Sequence, residues 1–72
     1  MRFKMIALRP GAVTRLRGKM SKAELAREAG VSRTTVFRIE EGELASVTFD
    51  TVNRLAKALK CDADMLVTFD PR

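Results

Sequence analysis

Residues 21–42 read SKAELAREAGVSRTTVFRIEEG, and the fold is decided there. Ser21 followed by Glu24 is a capping-box pattern, which satisfies otherwise unpaired amides where a helix starts. Leu25, Ala26 and Ala29 then recur at helical spacing. Gly30 follows, and glycine readily takes the positive φ that ends a helix. Val31 is an apolar plug in the turn, and Ser32 is placed to cap a second helix. Val36 and Ile39 give that helix a narrow buried stripe. Two helices this short, joined this tightly and meeting through small residues, predict a helix-turn-helix over 21–42.

The second helix has a wet side with unusual chemistry. At 100° per residue, Val36 and Ile39 point one way, while Thr34, Phe37 and Arg38 point the other. Arg33 and Glu41 lie at the margins. Such a face suits the major groove of duplex DNA. Arginine grips guanine O6 and N7 with a two-pronged fork, and threonine or phenylalanine packs against a thymine methyl. The plainer alternative is an ordinary solvated helix face.

The flanking sequence predicts a scaffold. Pro10 can start a helix running through Val13 and Leu16 to about Lys19. Thr48 caps a longer helix carrying Phe49, Val52, Leu55, Ala56 and Leu59, and Asp62 begins a short turn with Met65 and Leu66. The expected core is Val13, Leu16, Leu25, Val36, Ile39, Phe49, Val52, Leu55, Leu59 and Leu66. RFKMIAL (residues 2–8) and MLVTFD (residues 65–70) alternate like short β-strands. They could pair with each other or across two subunits, since a ribbon needs one face packed on the helices. The alternative for the N-terminal piece is a basic arm that reaches DNA.

Charge is distributed unevenly. Residues 1–38 carry a net +8 and residues 39–72 a net −3, within an overall +5. A protein with one face on a polyanion would show such a split, although charge also serves solubility. No apolar run approaches the ~20 residues of a membrane span, and the start is too short in its apolar part for a secretory signal. Cys61 is the lone cysteine and there is no histidine, so neither a disulfide nor a zinc site assembles within one chain. The usual general base is missing, no Ser or Cys has a partner for nucleophilic catalysis, and no Gly-rich phosphate loop is present. An enzyme is not expected, and neither is a cofactor or small-molecule ligand.

The segments AELAREAGVSRTTVFRIEEG and FDTVNRLAKALKCDADML resemble the lambda repressor-like helix-turn-helix family, the Cro and Xre type of phage and bacterial regulators. The resemblance covers roughly residues 11–67. ELA, GVS, a V-x-x-I-E-x-G helix end and a later LAKAL helix carry it together. It implies a mainly α, compact five-helix domain, to which the alternation at the two ends could add short β-strands. The family often has glutamine where this chain has Lys22, and a point charge in place of a forked amide favours a phosphate contact. An arginine of the first helix commonly pairs with a glutamate of the recognition helix in this family, which implies an Arg15–Glu40 ion pair.

The function expected is sequence-specific binding of double-stranded DNA as a Cro-like or prophage repressor. Arg33, Thr34, Phe37 and Arg38 are the candidate base readers. Lys22, Thr35, Arg17, Lys19 and Arg27 are candidates for the phosphates, helped by a main-chain amide at a helix start. Seventy-two residues leave no room for a separate activation or sensing domain, so the expected mechanism is occlusion of an operator. The expected working unit is a homodimer, formed in solution or only on DNA, over an inverted repeat. Met65–Phe69 and Phe3–Ala7 are its candidate surfaces. The expected location is the bacterial or phage-infected cytoplasm, at the nucleoid. Two other readings remain: an antitoxin that uses the same helices, grips a partner protein and represses its own operon, and a protein-interaction or RNA-associated adaptor that borrows the fold without reading DNA.

Overall fold

The computed structural model describes residues 5–68. The order is β1 (Met5–Ala7), α1 (Ala12–Arg17), α2 (Lys22–Ala29), α3 (Arg33–Glu41), β2 (Ser46–Thr48), α4 (Phe49–Leu59) and a 3₁₀ turn (Ala63–Met65). Among the described residues there are thus four α-helices where five were expected. The fifth is a single 3₁₀ turn, because Leu66 leaves it at once and the chain runs into a β-bridge between Val67 and Leu8.

Side chains set the starts of α2, α3 and α4, and backbone geometry sets their ends. The Ser21 and Ser32 hydroxyls accept the amides of Glu24 (3.0 Å) and Thr35 (3.1 Å). Thr48 does the same for Thr51 at 3.3 Å. Gly30 closes α2 at φ 73°, which lets the Val31 amide donate to the Ala26 carbonyl at 3.0 Å. α1 begins after Pro10 and Gly11 but stops at Arg17, short of the expected Lys19.

α2 packs against both α3 and α4, and α1 leans on α3. Leu25, Val36, Val52, Leu55 and Leu66 are fully buried at the centre, surrounded by Val13, Ala12, Ala26, Ala29 and Ala56. Leu16, Ile39 and Leu59 pack against this cluster but are only partly buried. Phe49 departs from expectation, being 58% exposed. It occupies the first position of α4, and a helical side chain leans toward its own N-terminus, so the ring overhangs the helix end beyond its packing partners.

The β-structure joins three segments. β1 pairs antiparallel with β2, matching Met5 to Thr48, Ile6 to Val47 and Ala7 to Ser46. On its other edge the Thr68 amide donates to the Ala7 carbonyl (3.0 Å) and the Arg9 amide to the Leu66 carbonyl (2.7 Å). The expected contact between the two ends of the chain is therefore present, as the Leu8–Val67 bridge, with β1 lying between it and β2. Burial of Leu8 and Val47 packs this ribbon on the helices. The expected strand 65–70 is not formed over its described residues, because Met65 closes the 3₁₀ turn and Val67 alone pairs, as that single bridge. Residues 2–4 and 69–70 lie outside the described residues.

Candidate nucleic-acid interface

α3 is anchored on one side and bare on the other. Val36 has no exposed surface, and Ile39 is half-buried behind it. Arg33, Thr34, Phe37 and Arg38 are all exposed, with Phe37 at 46%. The four expected base readers thus share the outward side of one helix. Its N-terminal turn is fixed by Ser32, whose hydroxyl also bonds the Thr35 hydroxyl at 2.9 Å. Thr35 is half-buried, with its hydroxyl engaged in that cap.

The remaining basic candidates divide. Lys19 and Arg27 are exposed. Lys22, the first residue of α2, is half-buried, and its Nζ lies 4.5 Å from the centre of the Phe37 ring. Arg17 is not turned to solvent. Its Nε donates to Glu40 Oε2 at 2.9 Å, its Nη2 to Glu40 Oε1 at 3.0 Å, and its Nη1 to the Met20 carbonyl at 2.7 Å. The Thr14 hydroxyl donates to Glu40 Oε1 at 2.9 Å.

This arrangement corrects the expected Arg15–Glu40 pair: the partner of Glu40 is Arg17. Arg17 lies four residues after the buried Val13 and three after Thr14, so these residues share the side of α1 that faces α3. Arg15 sits 100° away from Thr14 and is exposed. The spacing from Val13 to Arg17 was the signal that could have identified the true partner. The same engagement takes the Arg17 guanidinium away from a phosphate role. With side-chain exposures of 17% for Arg17 and 4% for Glu40, the pair is a brace between α1 and the C-terminal end of α3.

Among the described residues no cluster of His, Cys, Asp or Glu could hold a metal ion, and no helix is long and apolar enough to cross a membrane. Cys61 is half-buried at the end of α4. Burial, and secondarily the negative charge of Asp62, push its thiol pKa up, toward the protonated form.

Two capped helices, joined through Gly30–Val31–Ser32, leave the outward side of the second exposed. No curated protein matches the chain. Residues 14–66 match a family model described as Helix-turn-helix, a span that begins within α1, covers α2, α3 and α4 and ends at Leu66. The chain belongs to the lambda repressor/Cro/Xre-like helix-turn-helix family, a family of DNA-binding transcriptional regulators rather than enzymes.

Proposed function

We propose that the protein is a Cro-like repressor that binds one operator sequence and acts by occlusion, blocking polymerase or a rival regulator at the nucleoid of its bacterial or phage-infected host. The observation that carries this reading is the outward side of α3. Arg33, Thr34, Phe37 and Arg38 stand exposed there while Val36 locks the opposite side into the core. In this reading those four side chains contact base edges in the major groove. Lys22, Lys19 and Arg27 contact phosphates, which set register without reading sequence. The Arg17–Glu40 brace fixes the angle at which α3 enters.

The working unit is a two-fold dimer over an inverted repeat, with recognition helices about 34 Å apart, because one small module covers too few base pairs. The main-chain groups of Ala7 and Arg9 are engaged within the chain by Thr68 and Leu66, which favours side-chain packing over strand exchange at the dimer contact. Met5 and Met65, both exposed, supply apolar surface within the two candidate segments. Selection of bound sites from random duplex DNA, followed by footprinting, tests both parts. A single motif with two-fold symmetry is the expected result, and no enrichment, or an asymmetric site holding one copy at saturation, would overturn it. The antitoxin reading draws on the exposed Met5, Phe49 and Met65, which a partner protein would cover. Co-purification of one stoichiometric partner from the native host would favour it.

A further inference from the structure

Lys22 opens α2 and Phe37 lies midway along α3, so their side chains meet across the turn that joins the two helices. The ammonium stands 4.5 Å from the ring centre, within the range at which the negative face of an aromatic ring attracts a cation. Among the described residues no carboxylate pairs with it, so the ring is its local anchor. An ammonium carries its donors on several sides, and the ring face occupies only one of them. Phe37 keeps 46% of its surface exposed, so the ring and the remaining donors border the same outward surface.

We propose that Phe37 is a positioning residue for Lys22, holding the ammonium at the edge of the outward side of α3 so that the two together grip one DNA phosphate. The inference rests on the reading of α3 as the recognition helix. A free lysine loses rotamer freedom when it docks on a phosphate. One already seated on a ring has lost much of it beforehand, and without the ring that cost outweighs what a single exposed phosphate contact returns, so the contact is not made. The ring also keeps its rim available to a base methyl, so one side chain serves both the backbone contact and the base contact.

The consequence is unusual, because a substitution that removes no charge should change an electrostatic observable. Affinity for duplex DNA falls with salt by a slope that counts neutralised phosphates, about 0.9 unit for each. In the full chain, Phe37→Leu should flatten that slope by about one unit, as Lys22→Met does, and the double variant should flatten it no further. Phe37→Trp, which keeps a ring under the ammonium, should retain the wild-type slope. Thermal melting of each variant establishes that it is folded. A Phe37→Leu variant that loses affinity with an unchanged slope, or slope losses that add in the double variant, would overturn the proposal. A second readout needs no DNA: the ε-methylene protons of Lys22 should be shifted upfield by the ring in the free protein and return to their ordinary position in Phe37→Leu. No upfield shift would overturn the Lys22–Phe37 contact itself. A wild type that binds no duplex would sink the recognition reading and the phosphate grip with it, and the methylene shift would distinguish that failure from a missing contact.

Discussion

Arg17 and Glu40 meet in a two-pronged ion pair that joins the last residue of α1 to the next-to-last residue of α3, with both bonds between 2.9 and 3.0 Å. Glu40 is almost wholly buried, so the arginine supplies most of what compensates its charge, Thr14 adding one bond. Arg17→Met should therefore destabilise the fold by about 3–5 kcal/mol, the range for stripping one partner from a buried pair. Arg15→Met should stay within about 0.5 kcal/mol, as surface changes do. Urea denaturation of the two variants side by side checks this, and equal effects would refute it.

The two exposed arginines of α3 should behave differently from the exposed lysine ahead of α2. Arg33→Ala and Arg38→Ala should each cost about 1–3 kcal/mol on the selected site and relax preference at one base position. Lys19→Ala should weaken selected and random duplexes alike. Titrations on both kinds of DNA separate these outcomes. Arginine variants that lose affinity equally on both would remove Arg33 and Arg38 from the base readers.

Two helix ends adopt the same left-handed conformation with opposite residue choices. Gly30 closes α2 at φ 73°, and Lys60 closes α4 at φ 56°. A side chain in that region costs about 1–2 kcal/mol. A Cβ at position 30 would also stand 3.0 Å from Arg54 Nη1, a flexible group that can yield. Gly30→Ala should thus destabilise by about 1–2 kcal/mol. Lys60→Gly should stabilise by up to about 1 kcal/mol, which raises Tm by roughly 4–8 °C per kcal/mol in a domain of this size. Calorimetry on the pair checks the opposite signs.

Cys61 gives a pH dependence of defined sign. Burial, then Asp62, raise its thiol pKa in the folded state. Its contribution to stability is therefore complete below the unfolded thiol value of about 8.5 and is lost as pH rises through the higher folded value. The fall in urea midpoint between about pH 8 and 10 should be smaller in Cys61→Ala than in the wild type, and an identical fall would count against it.

Much of the helical frame was legible because caps and periodicity agree there: Ser21, Gly30, Ser32, Thr48 and the buried Leu25, Val36, Val52 and Leu55 all take the expected places. What escaped was set by partners distant in sequence. Ser46–Thr48 is too short for an alternation to show, and Thr48 was already accounted for as a helix cap. Phe49 fits the α4 stripe by spacing, yet the stripe extends past the elements that cover it. Arg15 and Arg17 differ only by the turn of a short helix, and burial of Val13 on the α3 side decides between them. The exposed side of α3 was readable as a surface, but its contact with Lys22 depends on the angle between two helices.

The central place of β1 also bears on the order of events at the ribosome. Residues 5–8 are made early, yet their neighbours are Ser46–Thr48 on one edge and Leu66–Thr68 on the other. The helices can dock on one another as they emerge, whereas the first strand gains its first neighbour only after residue 48 has cleared the exit tunnel and its second only after residue 68 has. Completion of this domain therefore follows the emergence of nearly all its described residues, and its nascent intermediate is a helical cluster whose first strand still lacks a neighbour on one edge.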